Sequence, residues 1–346
     1  MKPISRRDLS ALTRAGEWAD SKLSYFLVSV GLLVFSARAS FEPADILFLL
    51  ANGVFFASFL GCSYMINDIA DREVDLRAGK EKPVTKYSPR VLAALFSVIM
   101  ALGIACIAAA ELVLGVFAAW RLAVILAVYY LGFSYSVKPF RFKEKGLFGA
   151  VFCSCAQRIF PLAVTCLCFS PDRVLLAVIV LQNFFVGMRY ILVHQLIDRT
   201  NDIRTGVRTF STDHPDHSRA FVYANVIAEI ALIIIQCVYV IRHFPSFAGY
   251  SLSVIAAAYM LLLVLYVRAV RYMLKEHVFE TFSFVPFEDY YNILLPLWFY
   301  ACMLTRSAFF LVFLFLLVFM QRKMIKVRGE FLLLYIRKVS GLRKTT

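Results

Sequence analysis

The chain has 346 residues, 61% of them hydrophobic and only 17% charged, with apolar runs longer than the roughly 18 residues that mark a membrane-spanning helix. That composition excludes a water-soluble enzyme and points to a polytopic, all-α membrane protein, whose closely spaced spans leave no room for a separate globular unit. The net charge of +14 lies mostly in the segments between apolar runs, a topology signal that argues against a nucleic-acid partner.

The first 22 residues, MKPISRRDLSALTRAGEWADSK, are polar and basic. They lack a short apolar core followed by a small-residue cleavage site, so they read as a cytoplasmic N-terminal segment and not as a cleaved signal. Nine membrane spans are expected after it, near 23–40, 45–67, 91–110, 115–135, 147–168, 174–197, 219–241, 248–270 and 292–320. The loops after spans two, four, six and eight are basic, whereas opposite loops such as SFEPAD and SPDR are short and poorly basic. Positive charge therefore places the N-terminus and the even-numbered loops in the cytoplasm. Nine crossings would put the basic tail 321–346, with its eight Lys or Arg residues, on the wrong side, and Thr305-Arg306-Ser307 interrupts the ninth. The eight cysteines sit in apolar stretches without metal-like spacing and read as packing residues.

Two acidic clusters stand at span ends. In MINDIADREVDLRAGKEKPV, residues 65–84, Asp68, Asp71 and Asp75 fall within about 60° of one helix face. In HQLIDRTNDIRTGVRTF, residues 194–210, Asp198 and Asp202 again share a face, together with His194 and Asn183. Four crossings separate the clusters, so both open on one side of the membrane. Paired carboxylates of this kind suit Mg2+, which takes few acidic ligands and completes its shell with water and phosphate oxygens. The alternative is a pair of solvated helix ends. A third element, YSVKPFRFKEKG at 135–146, follows span four on the same side, and its Lys138, Arg141, Lys143 and Lys145 suit diphosphate oxygens.

Charges inside spans are functional candidates. Arg189 projects about 180° from Asp198, so it and Arg158 read as members of a buried pair, with Glu229 as a partner. Arg121 reads as snorkelling from the start of its span. His194, one turn before Asp198, suits a base or an orienting neighbour. Glu276, Glu280, Glu288 and Asp289 read as a solvated loop after span eight.

Taken together, Asn67-Asp68-Ile-Ala-Asp71-Arg-Glu-Val-Asp75 with Lys82-Pro83-Val84, Tyr135-Ser136 with its basic run, and Asp198 to Thr209 resemble the three signatures of the UbiA superfamily of intramembrane prenyltransferases. Lys82 stands where arginine is more usual. The resemblance covers roughly residues 20–320 and implies about nine helices in a ring around a lipid-accessible cavity. It divides the chain into residues 1–22, a transmembrane prenyltransferase domain at 23–320, and a basic tail at 321–346. It further implies Mg2+ held by Asp68, Asp71, Asp75, Asp198 and Asp202, and a prenyl diphosphate held by Asn67, Lys82, Tyr135, Arg141 and Lys143. Asp71, Asp198 and His194 receive catalytic roles, and an allylic cation alkylates an acceptor, an aromatic or other nucleophile, among membrane lipid. Two alternatives share the acidic clusters: a membrane terpene cyclase of the same superfamily, and a cation-coupled transporter, although transporter sites usually lie at the bilayer midplane.

Overall fold

The computed structural model describes residues 4–38, 41–77, 79, 81–244, 246–273 and 286–339, and within them the secondary structure is helical. The chain forms two compact units, Met1–Leu232 and Ile233–Thr346.

The first unit opens with α1 (Arg6–Leu12), fixed by a capping box in which the Ser5 side chain accepts from the Asp8 backbone and Asp8 accepts from Ser5. Short α2 (Ala15–Trp18) and a π-helical turn at Ala19–Leu23 lead into α3 (Ser24–Ala37). The first membrane-length run is thus Ala15–Ala37, which begins in the segment read as a polar tail. Then come α4 (Pro43–Ala70), α5 (Arg72–Arg77), α6 (Pro89–Val113) and α7 (Ala119–Ser134). Proline at the first position of α4 and α6 costs no helical hydrogen bond there and sets both starts. A second π-helical turn, Cys155–Ile159, joins α8 (Gly146–Ser154) to α9 (Phe160–Cys168). Helix α10 (Arg173–Thr205) starts where the Asp172 side chain accepts from Leu175 N and stops at Gly206, whose φ of 73° supplies the left-handed cap. Short α11 (Phe210–Asp213) precedes α12 (Pro215–His243).

Small residues let these helices approach closely. Ser58 of α4 lies against Gly103 of α6, donates to Ile99 O at 2.6 Å and meets the Tyr129 hydroxyl of α7 at 2.8 Å. Apolar rings fill the space alongside, with Phe26 and Phe56 stacked at 3.9 Å and Phe55 and Phe59 edge-on to Tyr129. Helix α1 is anchored by fully buried Leu12, which packs with Met65, Val84 and Leu92. The pairing read for Arg189 is present: its guanidinium donates to Glu229 at 2.6 and 3.1 Å, and both side chains are fully buried.

The second unit holds α13 (Ser246–Met273), a helical run Pro286–Leu304 with a π-helical turn at Tyr290–Leu294, and a long helix Phe310–Val339. Seven helices among the described residues are long and apolar enough to cross a membrane, and α7 adds a shorter apolar one. The ninth span expected at 292–320 is not a single helix. It breaks at Thr305, where Arg306 N and Ser307 N both turn back to Met303 O, and the chain reverses. Tyr300 packs on Phe313, and Arg328 donates to Asp289 at 3.1 Å, so the two helices form an antiparallel hairpin. Glu288 and Asp289 consequently face Arg328 and are not a solvated surface. Glu276 and Glu280 lie outside the described residues.

Candidate functional site

The expected single face carrying Asp68, Asp71 and Asp75 is interrupted. Helix α4 ends at Ala70, and Asp71 caps it with φ −95° and ψ 0°, so α5 starts afresh. Asp68 is 1% exposed at the end of α4 and faces Lys82 at 3.4 Å and Arg14 at 3.6 Å. Asp71 instead receives Arg141 at 3.2 Å and a short hydrogen bond from Lys143. Half-buried Asp75 is near enough for its charge to act on Asp68.

The basic loop is therefore folded onto the first acidic motif. Ser136 donates to Asn67 Oδ1 at 2.8 Å, Lys143 reaches the same oxygen at 3.4 Å, and Lys143 N donates to Tyr135 O at 3.1 Å. Burial lowers the Lys143 pKa, and the Asp71 carboxylate only partly opposes it. Lys138 and Lys145 form no salt bridge among the described residues; Lys145 lies over the Phe142 ring at 5.2 Å. Gly149 makes the loop's position possible, because a Cβ there would stand 2.2 Å from Phe142 O.

On α10, His194 and Asp198 are one turn apart, 3.4 Å between Nε2 and Oδ2, and are 60% and 41% exposed. Half-buried Asp202 follows a turn later, before the Gly206 cap. Both aspartates thus lie inside α10 and not beyond a span ending at 197. Arg199 Nε donates to Ser211 O at 3.2 Å, and Ser211 bonds Ser218 at 3.0 Å, which ties this end of α10 to the next helices.

The sequence reading missed the N-terminal segment. Arg14, at the left-handed φ of 51°, bonds Glu17 and reaches Asp68. Lys22 donates to the Tyr64 hydroxyl at 2.7 Å and to Gln157 Oε1 at 2.5 Å. The charges of Arg14, Lys22 and Glu17 also act on His194, so this segment lies near the second acidic motif as well as the first. A cavity of about 600 Å³ opens here, lined by Arg6, Arg7, Arg14, Glu17, Asp68 and Lys82 among others. The detectable signal was the polar pair Gln157-Arg158 inside an apolar span, which demands polar partners nearby.

Among the described residues, no three His, Cys, Asp or Glu side chains are gathered closely enough to enclose a metal by themselves. Asp68 Oδ2, however, is a buried acceptor with no hydrogen-bond donor. An oxygen of that kind fits a hard cation that takes its remaining ligands from water and phosphate.

The sequence profile of the UbiA prenyltransferase family matches residues 24–287. No curated protein sequence matches the chain. Among solved structures, a UbiA homologue from Archaeoglobus fulgidus bound to GPP and Mg2+ is 17% identical, with a TM-score of 0.58 over 85% of this chain and 98% of its own. A structure described for digeranylgeranylglyceryl phosphate synthase in membranes is 15% identical, with a TM-score of 0.54 over 85% and 96%. An apo UbiA homologue from Aeropyrum pernix K1 is 18% identical, with a TM-score of 0.52 over 81% and 98%. At these identities the likeness is one of fold.

Proposed function

Because this chain belongs to the UbiA prenyltransferase family and is an integral multi-pass membrane protein, we propose that it transfers an isoprenoid chain from a prenyl diphosphate to an acceptor within the membrane, releasing pyrophosphate. The observation that carries this reading is the meeting of Asn67 and Asp71 with Lys143 and Arg141, which arrive from a different helix connection. An acid motif and a basic loop folded together fit a diphosphate and its counter-cation better than either fits alone.

In this reading Asp68, Asp71, Asp75, Asp198 and Asp202 hold Mg2+, a cation that the homologues from Archaeoglobus fulgidus bind with GPP or DMAPP. When bound, Mg2+ supplies Lewis-acid stabilisation of the departing diphosphate. Lys143 and Arg141, now neutralising Asp71, turn to diphosphate oxygens, and Lys82 and Tyr135 complete that contact. Asn67, held by Ser136, fixes the orientation of the motif. The bond between the allylic carbon and diphosphate oxygen breaks with its electron pair going to oxygen, and the acceptor's nucleophile forms the new bond to carbon. His194, beside Asp198, takes the proton that the acceptor loses. The surrounding apolar helices keep water from the allylic cation.

Residues 23–320 form the proposed prenyltransferase domain, between the N-terminal segment and the basic tail, with the site's loops on the cytoplasmic side. Purified protein given geranyl diphosphate, Mg2+ and candidate acceptors should release pyrophosphate and form a prenylated product. Chelation of the metal, Asp71→Ala and Asp198→Ala should each lower the rate on the order of 100-fold or more. Full turnover in either variant overturns the assignment, and a cyclic hydrocarbon formed without acceptor would identify a cyclase.

A further inference from the structure

The cavity beside α1 carries four cationic side chains, Arg6, Arg7, Arg14 and Lys82, against two acids, Glu17 and Asp68. Both acids are already engaged: Glu17 receives Arg14 at 2.8 Å, and Asp68 faces Lys82 at 3.4 Å and Arg14 at 3.6 Å. Arg6 and Arg7 are exposed and form no salt bridge among the described residues, so the outer part of the cavity keeps two uncompensated guanidinium groups. Packing fixes where they stand. Arg6, Arg7, Ser10 and Ala11 all line the cavity from one side of α1, while Leu12, about 170° from the middle of that side, is buried with Met65, Val84 and Leu92. Adjacent cations in the first turn of a helix repel each other and oppose its dipole, so Arg6 and Arg7 do not serve the stability of α1.

Pyrophosphate formed at the aspartates is a multiply charged anion among apolar helices, and it needs a polar way to water. The cavity supplies one. It starts at Asp68, which is 1% exposed, passes the two cations that face that carboxylate, and opens at the exposed Arg7 and Arg6. At a rise of 1.5 Å per residue, Arg6 stands about 10 Å along α1 from its end at Thr13. Charge moves along such a route when successive sites each attract the ion and none holds it for long. Guanidinium forks match phosphate oxygens in geometry. We propose that Arg6 and Arg7 form an outer diphosphate site, which takes pyrophosphate from the acidic motifs and passes it to water. The proposal rests on the prenyltransferase reading for the source of the anion and concerns how that product leaves. Both arginines precede residue 24, where the family profile starts, so the site belongs to this chain's own N-terminal segment.

The test titrates inorganic pyrophosphate into the full chain in detergent, followed by calorimetry in metal-free buffer, where the aspartates repel the anion and the outer arginines attract it. Arg6→Gln with Arg7→Gln is compared with Arg6→Lys with Arg7→Lys. Arg173→Gln with Arg306→Gln removes the same charge at exposed positions outside the cavity. The unsubstituted protein should bind pyrophosphate, the glutamine variant should bind it more weakly on the order of tenfold or more, and the lysine variant should fall between. The charge control should bind as the unsubstituted protein does. Without ligand, the glutamine variant should melt no lower than the unsubstituted protein; a structural role for the two arginines would lower it. In turnover, inhibition by added pyrophosphate should weaken by the same factor in the glutamine variant, while geranyl diphosphate titrated with Mg2+ should bind with unchanged affinity. No pyrophosphate binding, binding that survives in the glutamine variant, a loss matched by the charge control, a lower ligand-free melting temperature, or an equal loss of geranyl diphosphate affinity overturns the proposal. The metal-free titration requires no turnover, so its failure is distinct from a failure to release pyrophosphate from geranyl diphosphate, which bears on the prenyltransferase reading itself.

Discussion

Glu229 and Asp68 are both carboxylates buried among apolar helices, and their partners give them different uses. Glu229 spends both oxygens on Arg189, and neither side chain reaches the surface. Removing the acid alone strands a guanidinium, so Glu229→Leu should lower unfolding stability by about 3–5 kcal/mol, measured by thermal or denaturant unfolding in detergent. The paired change Arg189→Met with Glu229→Leu should recover most of that loss. Asp68 keeps one buried oxygen without a donor, and its partners Arg14 and Lys82 stand at 3.6 and 3.4 Å, loose enough to be exchanged for a ligand. Arg14 also carries a left-handed backbone, which a non-glycine residue adopts at a cost of order 1 kcal/mol. Arg14→Gly should therefore weaken prenyl diphosphate binding, read as a raised KM, while leaving the melting temperature equal or higher. Arg14→Ala should weaken binding equally without the backbone relief.

At the scale of elements, the basic loop depends on α8 passing directly beneath it. Gly149→Ala would drive a methyl group into Phe142 O, a backbone atom adjoining Lys143. Overpacking of this kind costs about 1–3 kcal/mol, and here it should also displace Lys143 and Arg141, so the variant should lose diphosphate affinity, measured as KM, beyond its loss of stability. Much at this scale was legible in the sequence. Long apolar runs gave most helices, and Arg189 opposite Asp198 on α10 pointed to its pairing with Glu229. The break at Asp71 was not legible, because an aspartate sits equally well within a last helical turn or as its cap, and hydrophobic period does not distinguish them. The π-helical turns at Ala19–Leu23 and Cys155–Ile159 were hidden for a related reason: each shifts the helical phase within a uniformly apolar or mixed stretch. The role of Arg14 was missed because a short polar stretch before the first long apolar run looks like a solvated tail.

At the scale of the molecule, the antiparallel hairpin of the second unit changes the topology that the sequence implied. A hairpin returns the chain to the side from which it came, whether it crosses the bilayer twice or only dips into it. With Arg328 held to Asp289, the basic stretch beyond 320 lies on the side where the hairpin begins. A tail on the same side as the other basic loops is the topology that positive charge favours, and a ninth single crossing opposes it. Reporter fusions should locate both termini on one side: a C-terminal fluorescent protein should fold and shine, and alkaline phosphatase at the same position should be inactive. Opposite results at the two ends would restore an odd number of crossings.

The docking of α1 has a practical corollary. The family profile starts at residue 24, yet Leu12 plugs the gap between Met65, Val84 and Leu92, and Arg14 walls the cavity above Asp68. A recombinant version trimmed to the family boundary would keep every motif by which its membership is recognised. It would nevertheless emerge with an uncovered greasy notch and a doorway missing one of its posts. Inactivity of such a fragment would report on where the cut was made, and purification tags are better placed after residue 346 than spliced against the first helix.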